Sequence, residues 1–233
     1  TDSDAVTLNI TAVNDSPMVA TNTGVTVAEG STGTAITTAM LNEGDVDDSG
    51  AGLTYTVTTA PVNGVLRLSG TALSASDTFT QADIDGGLVT YDHDGSETVS
   101  DGFDFSLADG GEDGATATSG TFSITVNAVN DAPTATITPA NYSATEQVVL
   151  TLHGTGLSIG DADDGGAVVE ATLSVITGTL NVTAGTTGVT IGGDGTSTLM
   201  LTGTVSQINN LLSGNLGATL SYIDSSDNPP VID

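Results

Sequence analysis

Apolar and polar residues alternate along most of this chain with a period of two. In LTYTVTT, Leu53, Tyr55 and Val57 fall on one side and threonines on the other. FDFSLAD repeats this with Phe103, Phe105 and Leu107, and TFSITVNAV with Phe122, Ile124, Val126 and Ala128. Successive strand side chains point to opposite faces, so each stretch predicts a strand with one buried and one wet face. Gly, Asp, Asn and Ser separate the runs, as turns require. Two segments change period. TQADID (80–85) predicts a short helix behind Thr80 as N-cap. TVSQINNLLSG (204–214) predicts another behind Thr204, with Val205, Ile208, Leu211 and Leu212 on one face. Short strands at this spacing predict an all-β fold: tandem antiparallel β-sandwich domains joined end to end, one short helix in each.

The domain count follows from a repeat. AVNDSP at 12–17 returns as AVNDAP at 128–133, an offset of 116 residues. The pattern before it returns too: Val6, Leu8, Ile10 and Ala12 match Phe122, Ile124, Val126 and Ala128. DVDD at 45–48 matches DADD at 161–164, and Glu29 has a counterpart one residue out of register in Glu146. Asn-Asp followed by proline therefore marks a domain junction. Residues 1–13 read as the last strand of a preceding repeat, 14–130 as a complete domain and 131–233 as a second domain. The second reads as C-terminally incomplete, because LVTYDHD (88–94) matches ATLSYIDSSD (218–227) and nothing corresponds to strands 102–109 and 117–128. The chain also opens inside a strand pattern, as a piece of a longer protein would.

Composition narrows the function. Arg67 is the only Lys or Arg against 29 acidic residues, a formal net charge of −28. Nucleic acid and anionic membrane surfaces, both of which are bound through cations, are excluded as partners. No apolar run is long enough to span a membrane. There is no cysteine, so the fold is not held by disulfides. A charge this large repels itself in a compact state, and divalent cations are the natural offset.

Two loops could supply such a site. EGDVDDSG and IGDADDGG each place carboxylates at alternate positions, Asp45 with Asp47 and Asp161 with Asp163. Calcium takes six to eight oxygens from carboxylates, amides and carbonyls, and a D-x-D pair offers two from one loop. The same pair also suits an ordinary solvated turn. TIGGDGTSTL (190–199) reads as a tight turn. His93, among Asp92, Asp94 and Glu97, reads as a surface residue, and His153 as a packed or edge residue on a strand. Paired carboxylates can cleave a glycosidic bond, but aromatics are 3% of residues and tryptophan is absent. No nucleophile elbow or phosphate loop appears. An enzyme is not expected.

An early Glu, a D-x-D loop and an Asn-Asp linker together resemble cadherin-like repeats. FTQADIDGGLVTYDHDGSETVSDGFDFSLADG and the closing FSITVNAVNDAP make residues 14–130 similar to the bacterial cadherin-like repeat related to chondroitin sulfate proteoglycan repeats. Residues 131–233 resemble a neighbouring repeat of giant RTX-type bacterial adhesins. The resemblance implies Ca2+ between consecutive domains. At the central junction it implies Glu29 and Glu97, with Asp92 or Asp94, the linker residues Asn130 and Asp131, and Asp161 and Asp163. At the first junction it implies Asn14, Asp15, Asp45, Asp47 and Asp109. The chain departs from the cadherin pattern at Ala12 and Ala128, where an acidic residue would stand two before the linker Asn.

The expected function is structural: calcium-stabilised extender repeats of a secreted bacterial surface adhesin that supports cell adhesion and biofilm formation. Its partners would be calcium and adjacent repeats of the same chain, with no nucleic acid and no membrane insertion. The alternative is a module of the same adhesin that binds a glycan or a cell-surface protein directly.

Overall fold

The computed structural model describes residue 4 and residues 6–227. The fold is all-β, and the chain divides into two compact units, 1–129 and 130–233.

Unit 1 opens with β1 (Val19–Asn22), β2 (Val25–Ala28), β3 (Thr34–Ala35) and β4 (Leu41–Glu43). It continues with β5 (Thr54–Thr59), β6 (Gly64–Leu68), β7 (Thr71–Ala72), β8 (Thr78–Thr80) and helix α1 (Gln81–Asp85). It closes with β9 (Val89–His93), β10 (Ser100–Ala108) and β11 (Thr118–Asn127). One sheet has the order β2-β11-β10-β5-β8 and another β3-β9-β6-β7, while β1 and β4 form a separate pair. The alternation seen in the sequence becomes the core between the two larger sheets. Tyr55, Val57, Phe103, Phe105, Phe122 and Ile124 from one, with Leu66, Val89 and Tyr91 from the other, belong to a single buried cluster. Tyr55 stacks on Phe79 at 5.0 Å, Phe103 stacks on Phe122 at 5.2 Å, and Tyr55 meets Phe105 edge-on at 5.4 Å. Each such ring removes roughly 150–250 Å2 from water, and this drives the two sheets together. Gly120 faces Phe105 across the β10–β11 ladder and leaves the space its ring fills.

Helix α1 begins where expected. The Thr80 hydroxyl accepts from the Asp83 N–H while the Asp83 carboxylate accepts from the Thr80 N–H, a reciprocal cap. The fold is not wholly antiparallel. β2 pairs with β11 in parallel, Ile124 opposite Val25 and Val126 opposite Val27. These two strands are far apart in sequence, so no tight hairpin dictates their direction.

Unit 2 repeats part of this plan with β12 (Thr134–Thr136), β13 (Leu150–Thr151), β14 (Ser158–Gly160) and β15 (Val168–Ser174). There follow β16 (Thr179–Thr183), β17 (Thr190–Gly192), β18 (Thr198–Thr204), helix α2 (Val205–Leu212) and β19 (Thr219–Ile223). Its sheets are β12-β14, β13-β19-β16 and β15-β18-β17. They correspond to β1-β4, β3-β9-β6 and β5-β8 of unit 1. Ile208, Leu211 and Leu212 of α2 are buried with Leu180, Leu199, Leu201 and Leu220 in a second core, and Thr204 caps the helix as Thr80 caps α1. Among the described residues, unit 2 has no strand in the positions of β10 and β11.

Residues 6–13 correct an expectation. They form no strand, and Val6, Leu8 and Ile10 are 84%, 78% and 86% exposed. An alternating pattern becomes a strand only beside another strand that takes its hydrogen bonds. Residues 1–3 and 5 of that stretch lie outside the described residues. Two further corrections concern histidines. His93 is buried and not a surface residue. His153 lies in the turn after β13, half-buried, and not on a strand.

Candidate metal sites

Three acidic groups gather at loop ends, two in unit 1 and one in unit 2. The first is built from the linker 14–15, the β4–β5 loop and the β10–β11 loop. Asn14 Nδ2 donates to Asp109 Oδ2 at 3.0 Å, and its backbone N–H to Asp113 Oδ2 at 3.3 Å. The Asp15 N–H donates to Asp47 Oδ2 at 2.8 Å. Asp45 Oδ1 accepts from the N–H groups of Asp47 and Asp48 at 2.8 and 3.0 Å, which curls the D-x-D loop around it. The Asp45 N–H is held by Glu43 Oε2 at 2.8 Å. The five residues expected at the first junction therefore fall into two bonded sets, Asn14 with Asp109 and Asp15 with Asp47 and Asp45, which adjoin where Asn14 precedes Asp15 in the chain. Sequence reasoning missed Asp48, Glu112 and Asp113. The signal was present: Asp48 completes DVDD, and Glu112 and Asp113 follow LADGG directly.

The electrostatics fit a cation. Loss of hydration raises the Asp48 pKa, and Asp45, Glu112, Asp109 and Asp47 then raise it further by repulsion. Asp109 moves the other way, held low chiefly by the Gly111 N–H and also by Asn14. Asp45 Oδ2 is buried and, among the described residues, has no hydrogen-bond partner. A buried carboxylate oxygen without a partner is costly, and a hard cation satisfies it.

The same arrangement returns in unit 2. The Asp131 N–H donates to Asp163 Oδ2 at 3.1 Å, 116 residues after the Asp15 to Asp47 bond. Asp161 Oδ1, on the residue 116 positions after Asp45, is again buried and, among the described residues, without a hydrogen-bond partner. The Asp161 pKa is raised, first by the neighbouring Asp163 carboxylate and then by lost hydration. Asn130 is exposed and donates to the Asp131 carbonyl oxygen.

The third group lies at the other end of unit 1. Glu29 follows β2, and Glu97 sits in the β9–β10 loop. A carboxylate oxygen of each lies within 4.8 Å of the other. Buried His93 joins the two loops: its Nδ1 accepts from the Gly30 and Gly95 N–H groups, both at 3.1 Å, and its Nε2 lies 3.1 Å from Thr98 Oγ1. Glu29 Oε2 also accepts from the Val129 N–H at 3.1 Å. Asp92 and Asp94 have other work. Asp92 binds Arg67 Nε at 2.6 Å and the Gly33 N–H at 2.6 Å, and both interactions lower its pKa, the Gly33 bond most. Asp94 accepts from the Ser96 N–H at 2.9 Å and closes the turn that leads to Glu97.

The family model described as cadherin-like matches residues 17–126, so unit 1 is similar to cadherin-like domains. The human chondroitin sulfate proteoglycan 4 is 40% identical over 107 residues, covering 46% of this chain and 4% of that protein. The human extracellular matrix organizing protein FRAS1 is 36% identical over 100 residues, 42% of this chain and 2% of that protein. Extracellular matrix protein 3 of Lytechinus variegatus is 36% identical over 90 residues, 38% of this chain and 3% of that protein. The chain thus spans only a few per cent of the length of these relatives. Among the described residues, no helix is long and apolar enough to cross a membrane.

Proposed function

We propose that these domains are extender repeats of a secreted, RTX-type bacterial surface adhesin, stiffened by calcium and serving cell adhesion and biofilm formation. The relatives named for the extracellular matrix support an extracellular, non-catalytic, adhesive role. The observation that carries the calcium reading is the paired orphan oxygen: Asp45 Oδ2 and Asp161 Oδ1, on residues 116 positions apart, are each buried and, among the described residues, without a hydrogen-bond partner. Asn14, Asp15, Asp45, Asp47 and Asp109 would hold one ion, and Asp131, Asp161 and Asp163 would supply ligands for another. Bound calcium would neutralise repelling carboxylates and fix the loops that carry them. Extracellular calcium modules bind at about 10⁻⁴–10⁻³ M, so occupancy would follow the medium outside a cell.

Calorimetry with calcium and with chelator tests this. Binding to the folded state alone adds about 2.7 kcal/mol at a hundredfold excess over Kd, and the melting temperature rises accordingly. Asp45→Asn abolishes the rise in unit 1 and Asp161→Asn the rise in unit 2. Asp194→Ala leaves the calcium response intact. It lowers the baseline instead, because Asp194 Oδ1 accepts from the Val182 N–H. A melting temperature indifferent to chelator overturns the calcium reading. One observation favours direct ligand binding as the second reading: Tyr142 and Tyr222 line a groove in unit 2. A glycan array on the isolated chain decides it.

A further inference from the structure

Each D-x-D loop is fed by a short strand, β4 in unit 1 and β14 in unit 2. Among the described residues, each of these strands is bonded to one other strand only, β4 to β1 and β14 to β12. The N–H groups of a strand point alternately to its two sides, so some of them face away from that partner and need another acceptor. The Gly44 N–H points towards the β1 side and donates to the Met18 carbonyl oxygen at 2.9 Å. The Glu43 N–H points the other way, and Oε1 of Gln81 in α1 accepts it at 3.2 Å. In unit 2 the Ile159 N–H is taken by Oδ1 of Asn209 in α2, at 2.9 Å. Glu43 and Ile159 are 116 residues apart, and each stands two residues before the first aspartate of its loop, Asp45 or Asp161.

The bond recurs although the residue that makes it does not. Gln81 is the first residue of α1 and Asn209 the fifth of α2. Counted from the capping threonines, unit 2 has Val205 where unit 1 has Gln81, and unit 1 has Asp85 where unit 2 has Asn209. Each amide is also fixed in its own right. Gln81 is 1% exposed, its Oε1 accepts from the Tyr55 hydroxyl at 2.9 Å, and its Nε2 donates to Asn42 Oδ1 at 3.1 Å and Asp85 Oδ1 at 3.0 Å. Asn209 grips both backbone groups of one residue, since its Nδ2 donates to the Ile159 carbonyl oxygen at 2.8 Å. In unit 1 the chain of bonds runs on into the loop. Glu43, held by Gln81, accepts the Asp45 N–H on its own Oε2 at 2.8 Å.

We propose that Gln81 and Asn209 are the positioning residues of the two calcium loops, an inference that rests on the calcium reading above. Neither touches the ion. Each ties the strand that enters its loop to a helix packed on the core, and so holds Asp45 or Asp161 where one carboxylate oxygen stays buried. Without that tie the loop carboxylates spread apart under their own repulsion, and an ion must gather them again. The cost falls on affinity. Outer partners that orient metal ligands typically change affinity by about 10–100-fold when removed.

Titration calorimetry of the whole chain with calcium chloride tests this. An Asp161→Asn background isolates the unit 1 site, and an Asp45→Asn background the unit 2 site. Gln81→Met weakens binding at the unit 1 site by about tenfold or more and leaves the unit 2 site unchanged, and Asn209→Leu does the reverse. Circular dichroism confirms that each variant is folded at the titration temperature, so lost stability alone does not move the Kd. Hydrogen exchange of the parent, followed by NMR, needs no variant. Calcium slows exchange at the Glu43 and Ile159 N–H groups and in α1 and α2, as well as in the loops. Folded variants that bind calcium as the parent does, or slowing confined to the loops, would overturn the positioning role while leaving the calcium reading intact. A parent chain that binds no calcium would overturn both.

Discussion

His93→Leu removes a residue that two loops depend on. His93 is 4% exposed, and its Nδ1 accepts from both the Gly30 and Gly95 N–H groups. Leucine fills much of the same space but accepts nothing, so two backbone donors lose their partner. Each such loss costs about 1–3 kcal/mol. Better apolar packing and partial rehydration offset some of this, leaving roughly 2–4 kcal/mol for unit 1. With a urea slope of about 1–3 kcal/mol/M, the midpoint moves down by about 1–2 M. Tyrosine fluorescence and circular dichroism follow it, because Tyr55 and Tyr91 lie in the unit 1 core. The unit 2 transition stays in place, since its core shares no residue with the first. His93→Gln keeps an acceptor and recovers about half the loss. A leucine variant with the parent's midpoint would refute the assignment of Nδ1 as the bond that ties the Glu29 loop to the Glu97 loop.

Gly120→Ala tests the aromatic packing: its Cβ would lie 2.7 Å from Phe105 Cζ, so unit 1 loses about 1–3 kcal/mol by overpacking in the same urea assay. Arg67→Gln removes the partner of Asp92. Both side chains are partly exposed, 34% and 22%, so the loss is about 1 kcal/mol or less. Its pH dependence has a definite sign. The Asp92 pKa is lowered in the folded state by Gly33 and Arg67. Its contribution is therefore present above the ordinary carboxylate range and disappears as pH falls through the lowered value. The parent exceeds Arg67→Gln at neutral pH, and the two converge in strong acid. A gap that widens on acidification would contradict the pairing.

The alternating runs were legible because each lies against a partner with a face to bury. Leu53, Tyr55, Val57, Phe103, Phe105 and Leu107 are all buried as their spacing required. Both helix caps were legible because Thr80 and Thr204 each meet a partner three residues on. What escaped depends on position in space. His93 looked exposed because its neighbours in sequence are acidic, but strand alternation places it on the inward side with Val89 and Tyr91. Asp92 looked like a ligand, yet the β6–β9 ladder brings it near Arg67, the only basic side chain. Residues 6–13 and 141–145 carry strand patterns and are not strands, because a ladder needs two members.

The acidic loops show where a turn ends and a site begins. A D-x-D sequence closes a turn by accepting backbone N–H bonds, and Asp45 Oδ1 does so twice. That accounts for one oxygen. A turn alone would leave the second in water, where it is stabilised without a partner. Instead Asp45 Oδ2 is buried, and the pKa of neighbouring Asp48 is raised first by lost hydration and then by repulsion from Asp45, Glu112, Asp109 and Asp47. A side-chain oxygen is buried again at Asp161, 116 residues on, and the Asp15 to Asp47 bond recurs between Asp131 and Asp163. Two loops in two separate cores have reached the same unfavourable arrangement. Local turn chemistry does not require that coincidence, whereas a cation at each loop would remove the repulsion and satisfy the buried oxygen in one step.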